Sequence, residues 1–521
     1  MRGLFAHQMV SHRINDMIKF SSLLTASLLL STSVGQTAFA ASAADNAALT
    51  ARFYDSLIKG TPKASTLNLF VTRMPKGGDL HHHFSGAIYV ENYLDWLAAN
   101  NGKIDSCTYR IVQANTPPSA PGCSQLTVAE LKQDNPTYRK LLTVWSDADY
   151  GNHVHLQPPP DSNFFNTFGY FSSLAAPNAA KGMAQLKQRA LDEQVSYIET
   201  MFASVGFKEA QLYDQPNQIN DINTALRAAR TQDEVNSVLA KVVADAQQSD
   251  AFRNKLAAYV SYLEQAHAGI DDDQFMMRYQ TYAGRTQDPL QVFLDLYSGF
   301  RVAYKTPLVV GVNIVAPENN YVSLADYTLH MRMFNFLNHH VKAEQGETAR
   351  TIKLALHAGE LTLGMVTPED LQFHIGEAVK IAGANRIGHA VDISYERDSV
   401  ALLQTMKAKQ VAVEINLTSN EFILGVKGNE HPYLLYSAYG VPMVISTDDA
   451  GVSRNNLSSQ YLLLATRYAP SYRTLKSYAY NSITYSFLND ADKARARTRL
   501  DKQFTGFEAE MAKLYGVVKG K

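Results

Sequence analysis

Along this chain, short runs of consecutive apolar residues alternate with longer stretches in which apolar side chains return every three or four positions. Eight of the short runs read as β-strands, at 78–84, 195–202, 275–282, 308–315, 352–357, 386–389, 411–416 and 441–447. Most are apolar throughout rather than on alternate positions, the pattern of a strand covered on both faces. The longer stretches, clearest at 222–230, 234–246 and 252–268, have the 3.6-residue spacing of helices. Strands separated by helices build a parallel sheet, and eight of them predict a closed (β/α)8 TIM-like barrel.

The remaining segments attach to that barrel as helical insertions and a short N-terminal extension. Residues 41–73 read as helix packed outside it, and 74–521 as the barrel itself. An insertion at about 101–160, rich in Pro and polar residues, reads as a loop region over one face. No segment reads as a second domain. Residues 1–40 stand apart. Lys19 precedes an apolar run at 20–30, and Ala38-Phe39-Ala40 has the small-x-small form of a signal-peptidase site. A signal peptide over 1–40 is expected, with Met1 or Met17 as the start, and with it export to the periplasm or the extracellular medium. The apolar run is too short to remain as a stable membrane anchor after cleavage. In an exported chain the even, close pair Cys107 and Cys123 predicts a disulfide.

Composition narrows the partners. The chain has 521 residues, 46% of them hydrophobic, and a formal net charge of −1. That supports a large core and gives no reason to expect a nucleic-acid partner. Phosphate-loop and HExxH motifs are absent.

Four strand ends carry the chemistry: Asp79-Leu-His-His-His83, His357-Ala-Gly-Glu360, Arg386-Ile-Gly-His389 and Ser446-Thr-Asp-Asp449. In a parallel barrel the strand ends meet on one face, so residues this far apart can share one ion. His81 and His83, two apart on a strand, point to one side, while His82 points away. His357 would be a third nitrogen ligand. Gly359 lets the chain turn, and Glu360 is then held near the metal without binding it. A carboxyl group in a closed site can carry a proton at neutral pH. Asp448 and Asp449 face different ways, so one can ligate the ion and the other meet the substrate. His389 could be a ligand, a base or a core histidine, and Gly388 beside it points to a close approach. Three nitrogens and a carboxylate with an open position fit catalytic zinc. Such a site hydrolyses an electrophilic carbon beside a ring nitrogen or a carbonyl.

These residues resemble the adenosine deaminase family of the amidohydrolase superfamily. Met74-Pro-Lys-Gly-Gly-Asp-Leu-His-His-His-Phe-Ser-Gly86 is similar to its first-strand motif. HAGE, RIGHA and STDDA follow in the family's order, and Ser419-Asn420 also fits. The leader, the first-strand motif and the cysteine-bearing insertion are most similar to the secreted growth-factor branch. The resemblance implies one Zn²⁺ per chain on His81, His83, His357 and Asp448. It implies that Glu360 protonates purine N1, that His389 orients and deprotonates the water, and that Asp449 meets N7. The expected reaction is zinc-hydroxide attack at C6, converting adenosine, and 2′-deoxyadenosine, to inosine and ammonia. The partner is then a small-molecule nucleoside.

Two positions depart from the family. Ser85 stands where many members have an Asp that contacts the ribose 5′-hydroxyl. Ala316 stands where a Gly commonly presents its N–H to the purine. Both keep open a related amidohydrolase acting on another purine base or a modified nucleoside. A non-catalytic extracellular purine-binding protein is the third reading, but every ligand and Glu360 are present. The stretch before Met74 is shorter than the dimerisation region of the secreted branch, so the resemblance does not extend to a dimer built that way. Asn163-Phe-Phe-Asn-Thr-Phe168 resembles the helix that lends an apolar lid to the family's nucleoside pocket.

Overall fold

In the computed structural model, residues 42–152, 158–346 and 350–519 are described. The expected signal segment at 1–40 lies outside them. All eight expected strands form: β1 Gly77–His83, β2 Val195–Met201, β3 Met276–Gly284, β4 Val309–Val315, β5 Lys353–Ala358, β6 Arg386–His389, β7 Ala412–Ile415 and β8 Met443–Ile445. They pair in chain order and every pairing is parallel. Most bounds move by one or two residues. The largest change is at β8, which is two residues shorter at each end; the Ser446 N–H still donates to the Ile415 carbonyl of β7 at 3.1 Å, while Thr447 turns to Asp79.

The first and last strands close the barrel only near their C-terminal ends. The Asp448 N–H donates to the His81 carbonyl at 2.8 Å, and His82 and Asp448 form an isolated parallel bridge. Below it the Asp79 carboxylate accepts the Thr447 N–H at 3.2 Å and its hydroxyl at 2.6 Å. Asp79 is buried, and burial pushes its carboxyl up to about 7 despite the Thr447 bonds.

The N-terminal extension is helical as expected, in Ala43–Ile58 and Ala64–Arg73. It packs on the end of the chain through aromatic rings. Phe70 meets Phe53, Tyr54, Tyr472 and Phe507 with centroids 5.1 to 6.1 Å apart. Among the described residues, no helix is long and apolar enough to cross a membrane.

The insertion is more ordered than a loop region. Lys103–Asp105 and Gln125–Thr127 pair as an antiparallel ribbon, followed by helices Val128–Gln133 and Asn135–Trp145. Reciprocal bonds between Thr127 and Glu130 start the first helix, and the Asp134 side chain caps the second. Cys107 and Cys123 form a disulfide, with Cα atoms 5.7 Å apart. The Asp105 carboxylate gathers the N–H groups of Cys107, Thr108 and Ser119 at 2.9 to 3.0 Å. The insertion then docks on helix Pro160–Ala175: Arg110 donates to the Gly169 carbonyl at 3.2 Å and lies over the Tyr170 ring.

Phe70→Ala removes a fully buried ring from a packed cluster. It should destabilise the protein by about 3–5 kcal/mol. The denaturation midpoint checks this, and a loss below about 1 kcal/mol would contradict the packing described.

Candidate active site

The barrel's C-terminal ends gather the expected ligands. His81 and His83 face inward from β1, while His82 turns away and bonds the Thr200 hydroxyl at 2.9 Å. His83 Nε2 lies 3.2 Å from His357 Nε2 and 3.2 Å from Asp448 Oδ1. His81 Nε2 lies 3.3 Å from the same Asp448 oxygen. One donor atom from each of the four falls within 4.8 Å of the others. His81 Nε2 is buried with no hydrogen-bond partner among the described residues. An orphaned imidazole nitrogen beside two more imidazoles and a carboxylate is a donor set for a divalent metal. Burial pushes His83 down and His357 well down, toward the neutral form that binds a metal. His81 differs: burial lowers it, but Asp448 and Glu414 outweigh burial and raise it to about 10. The carboxylates here call for a cation at this point.

Behind these ligands the barrel lumen is polar, a feature not anticipated from the sequence. Arg386 pairs with Glu199 and Glu414, all three fully buried. The other Glu414 oxygen takes His81 Nδ1 at 2.6 Å. Glu199 accepts from Gln280 at 2.9 Å, Gln280 accepts from Asn313 at 3.2 Å, and Asn313 Oδ1 faces His357 Nδ1 at 3.0 Å. Both branches end on the far nitrogen of a ligand histidine, which leaves Nε2 for the ion.

Glu360, His389 and Asp449 share the remaining space. Each has a buried side-chain atom with no hydrogen-bond partner among the described residues: Glu360 Oε1, His389 Nε2 and Asp449 Oδ1. Burial first, and then the Asp448 and Glu318 charges, raise Glu360 well above the usual carboxylate range. Burial and the Asp448 charge raise Asp449 likewise. Burial also raises Asp448, but the His81 and His83 contacts outweigh it and hold Asp448 well below that range. The adjacent aspartates thus have opposite characters, as their different facing predicts. His389 is pushed down to about 3 by burial. Its Nδ1 meets the Asn420 amide at 2.9 Å, which gives the Ser419-Asn420 pair a structural reason.

Sequence reasoning missed Glu318. Its two oxygens accept the N–H groups of Gly359 and Glu360, each at 3.0 Å, and so hold the turn that carries Glu360. Burial pushes the Glu318 carboxyl up, but Arg285, His374 and the Gly359 N–H hold it at about 2. Gly359 has φ +73°, and a Cβ there would lie 2.3 Å from Asp392 Oδ1. Only glycine fits on either count.

The close approach expected at Gly388 is the ring of His81: a Cβ would lie 2.6 Å from its Cε1. Gly86 makes the same kind of room for Asp449, whose Oδ1 would be 1.5 Å from a Cβ. Ser85 beside it is half-buried at the start of the helical turn Phe84–Ala87. Ala316 follows β4 with φ +85°, and His389 and Asp448 also have positive φ, at 66° and 63°. Non-glycine residues pay for that conformation, which gathers here at the strand ends. Helix Pro160–Ala175 packs against helix Leu417–Leu424 beside the site. Within it Phe164 is buried, while Phe165 and Phe168 are partly exposed. The Cys107–Cys123 disulfide is not part of the ligand cluster.

Comparison with known proteins bears on these residues. Residues 324–503, which carry His357, Glu360, His389, Asp448 and Asp449, match the family model described as adenosine deaminase. The adenosine deaminase of Enterococcus faecalis is 31% identical over 155 residues, covering 30% of this chain and 42% of that protein. That of Aedes albopictus is 27% identical over 278 residues, covering 48% of this chain and 50% of that protein. A Bos taurus N6-Methyl-AMP deaminase is 30% identical over 150 residues, covering 28% of this chain and 40% of that protein. The chain thus spans half or less of the length of these relatives. Among solved structures, an Arabidopsis N6-mAMP deaminase has a TM-score of 0.50 at 16% identity, covering 83% of this chain and 99% of that one. An amidohydrolase from Burkhoderia ambifaria with bound Zn also has a TM-score of 0.50 at 16% identity, covering 87% and 96%. Both share the fold.

Two substitutions test the packing of the site. Gly388→Ala should push His81 out of place and weaken metal binding by ~10-fold or more, while the protein stays folded. Metal analysis after dialysis reads this, and full retention would contradict the contact. Ala316→Gly should relieve the positive φ and raise stability by about 1 kcal/mol. A lower denaturation midpoint would contradict that.

Proposed function

From a chain that carries an adenosine deaminase domain, we propose an exported, zinc-dependent purine nucleoside deaminase. It converts adenosine, and 2′-deoxyadenosine, to inosine and ammonia. One observation carries the reading: a three-imidazole, one-carboxylate cluster shares its space with an acid raised by burial, a neutral imidazole and a second raised acid.

His81, His83, His357 and Asp448 would hold one zinc ion per chain. Such an ion, when bound, acts as a Lewis acid and makes a nucleophile available from water at neutral pH. The residues then divide the remaining work. Glu360 carries a proton at neutral pH and delivers it to ring nitrogen N1, which draws electrons from C6 as the nucleophile arrives. Asp449, whose carboxyl burial and the Asp448 charge raise, meets N7, a ring acceptor. His389, kept neutral by burial, orients the attacking water. Helix Pro160–Ala175, with Phe165 and Phe168, shields the ring from bulk solvent. Export is supported by the leader pattern at 1–40 and by the Cys107–Cys123 disulfide, which suits an oxidising compartment.

A second reading, a modified or phosphorylated purine nucleoside as substrate, is favoured by Ser85. A carboxylate at that position would repel a 5′-phosphate, and a serine would not. The N6-Methyl-AMP deaminase relative agrees with this alternative.

Purified protein is to be offered adenosine, 2′-deoxyadenosine, adenine, methylthioadenosine, AMP and N6-methyl-AMP, with absorbance followed. Adenosine should turn over fastest, and chelation should abolish the reaction. Faster turnover of AMP or N6-methyl-AMP would favour the second reading, and no turnover of any purine would sink both. Glu360→Gln should lower kcat by ~10²–10⁴-fold with zinc content unchanged, whereas Asp448→Asn should lose zinc as well. A Glu360→Gln variant of near wild-type rate would remove Glu360 from the role of proton donor.

A further inference from the structure

Behind His389 runs a chain of hydrogen bonds whose direction is fixed at its far end. The backbone N–H of Tyr433 donates to His431 Nδ1 at 3.1 Å. A peptide N–H can only donate, so His431 Nδ1 is the bare nitrogen and His431 carries its hydrogen on Nε2. That Nε2 lies 3.1 Å from Asn420 Oδ1 and donates to it. With its oxygen so engaged, Asn420 turns its amide nitrogen to His389 Nδ1 at 2.9 Å and donates there. The Asn416 amide nitrogen approaches the same atom at 3.5 Å. His431 and Asn420 are both buried, so no solvent exchange reverses the order. Burial and the Arg467 charge lower His431 to about 4, and it is neutral in the physiological range.

His389 Nδ1 is therefore an acceptor. Glu360 Oε1 is 3.4 Å from it, but that carboxyl oxygen makes no hydrogen bond there. The hydrogen of a neutral His389 must sit on Nε2, which points into the ligand cluster 3.9 Å from Asp448 Oδ2. We propose that His431 and Asn420 are positioning residues that fix His389 as its Nε2–H tautomer, so that in the resting site His389 presents a hydrogen-bond donor to the ligand cluster. The mechanistic consequence rests on the deaminase reading. The resemblance alone assigned deprotonation of water to His389. His389 orients the water by donation.

Nitrogen NMR of the full, metal-loaded protein with isotopically labelled histidine reads the tautomer directly, and His389→Asn identifies the His389 signals. The inference expects a protonated Nε2 and a bare Nδ1. Asn420→Asp keeps the shape but can only accept, from His431 Nε2–H on one side and His389 Nδ1–H on the other. It should invert the His389 tautomer and lower kcat by ~10-fold or more, with KM changed far less, as expected when the group that orients the water is misaligned. A wild-type His389 protonated on Nδ1 would overturn the inference, as would an Asn420→Asp protein with an unchanged tautomer. If that variant does not fold, the wild-type spectrum decides alone. The spectrum does not depend on turnover. A protein inert to every purine but with Nε2–H at His389 would refute the deaminase reading and leave this inference standing.

Discussion

Arg386 sits buried inside the barrel, where a guanidinium cannot give up its charge. A buried charge is tolerated only when paired and fully hydrogen-bonded. Glu199 and Glu414 supply the pairing, the Tyr485 carbonyl accepts at 2.9 Å, and the Phe487 ring lies under the guanidinium at 3.7 Å. Each carboxylate has capacity left over. Glu414 spends it on His81, and Glu199 passes it through Gln280 and Asn313 to His357. One cation at the barrel's centre thereby decides which nitrogens of two ligand histidines face the metal position.

The second constraint is the seam. β1 and β8 meet through His81, His82 and Asp448, so closing the barrel and assembling the ligand cluster are one event. The cost appears as backbone strain at His389, the last residue of β6, and at Ala316 and Asp448, just beyond β4 and β8 on the same face. Glycines at 86, 359 and 388 remove side chains where Asp449, Asp392 and His81 must pass.

The eight strands were legible because parallel strands covered on both faces are apolar along their length, a signal carried by consecutive residues. The clustering of His81, His83, His357 and Asp448 was legible because two histidines at i and i+2 and carboxylates at strand ends have few other uses in combination. Glu199, Asn313 and Glu414 were not read as functional. A single polar residue in an apolar run carries no direction, and only the closed barrel turns it to the lumen. Yet a charged or polar group inside a strand covered on both sides must find a partner, and that rule applied to ETM, VNI and VEI would have pointed to the lumen. Glu318 was hidden because it acts on backbone N–H groups at 359 and 360, which have no sequence signature. The helices after Thr127 were readable: Thr127-Val-Ala-Glu130 is a capping box. In the insertion, the Pro-rich stretch before it outweighed that signal.

His81, His83, His357 and Asp448 are proposed to hold a single divalent ion, zinc, at the barrel seam. Anomalous diffraction from crystals of the purified protein, collected on both sides of the zinc edge, tests it most directly. One strong peak is expected within bonding distance of those four side chains, with Glu360 and His389 outside the coordination shell. A peak bound through Glu360 or elsewhere in the chain, or no peak in crystals of active protein, would contradict it.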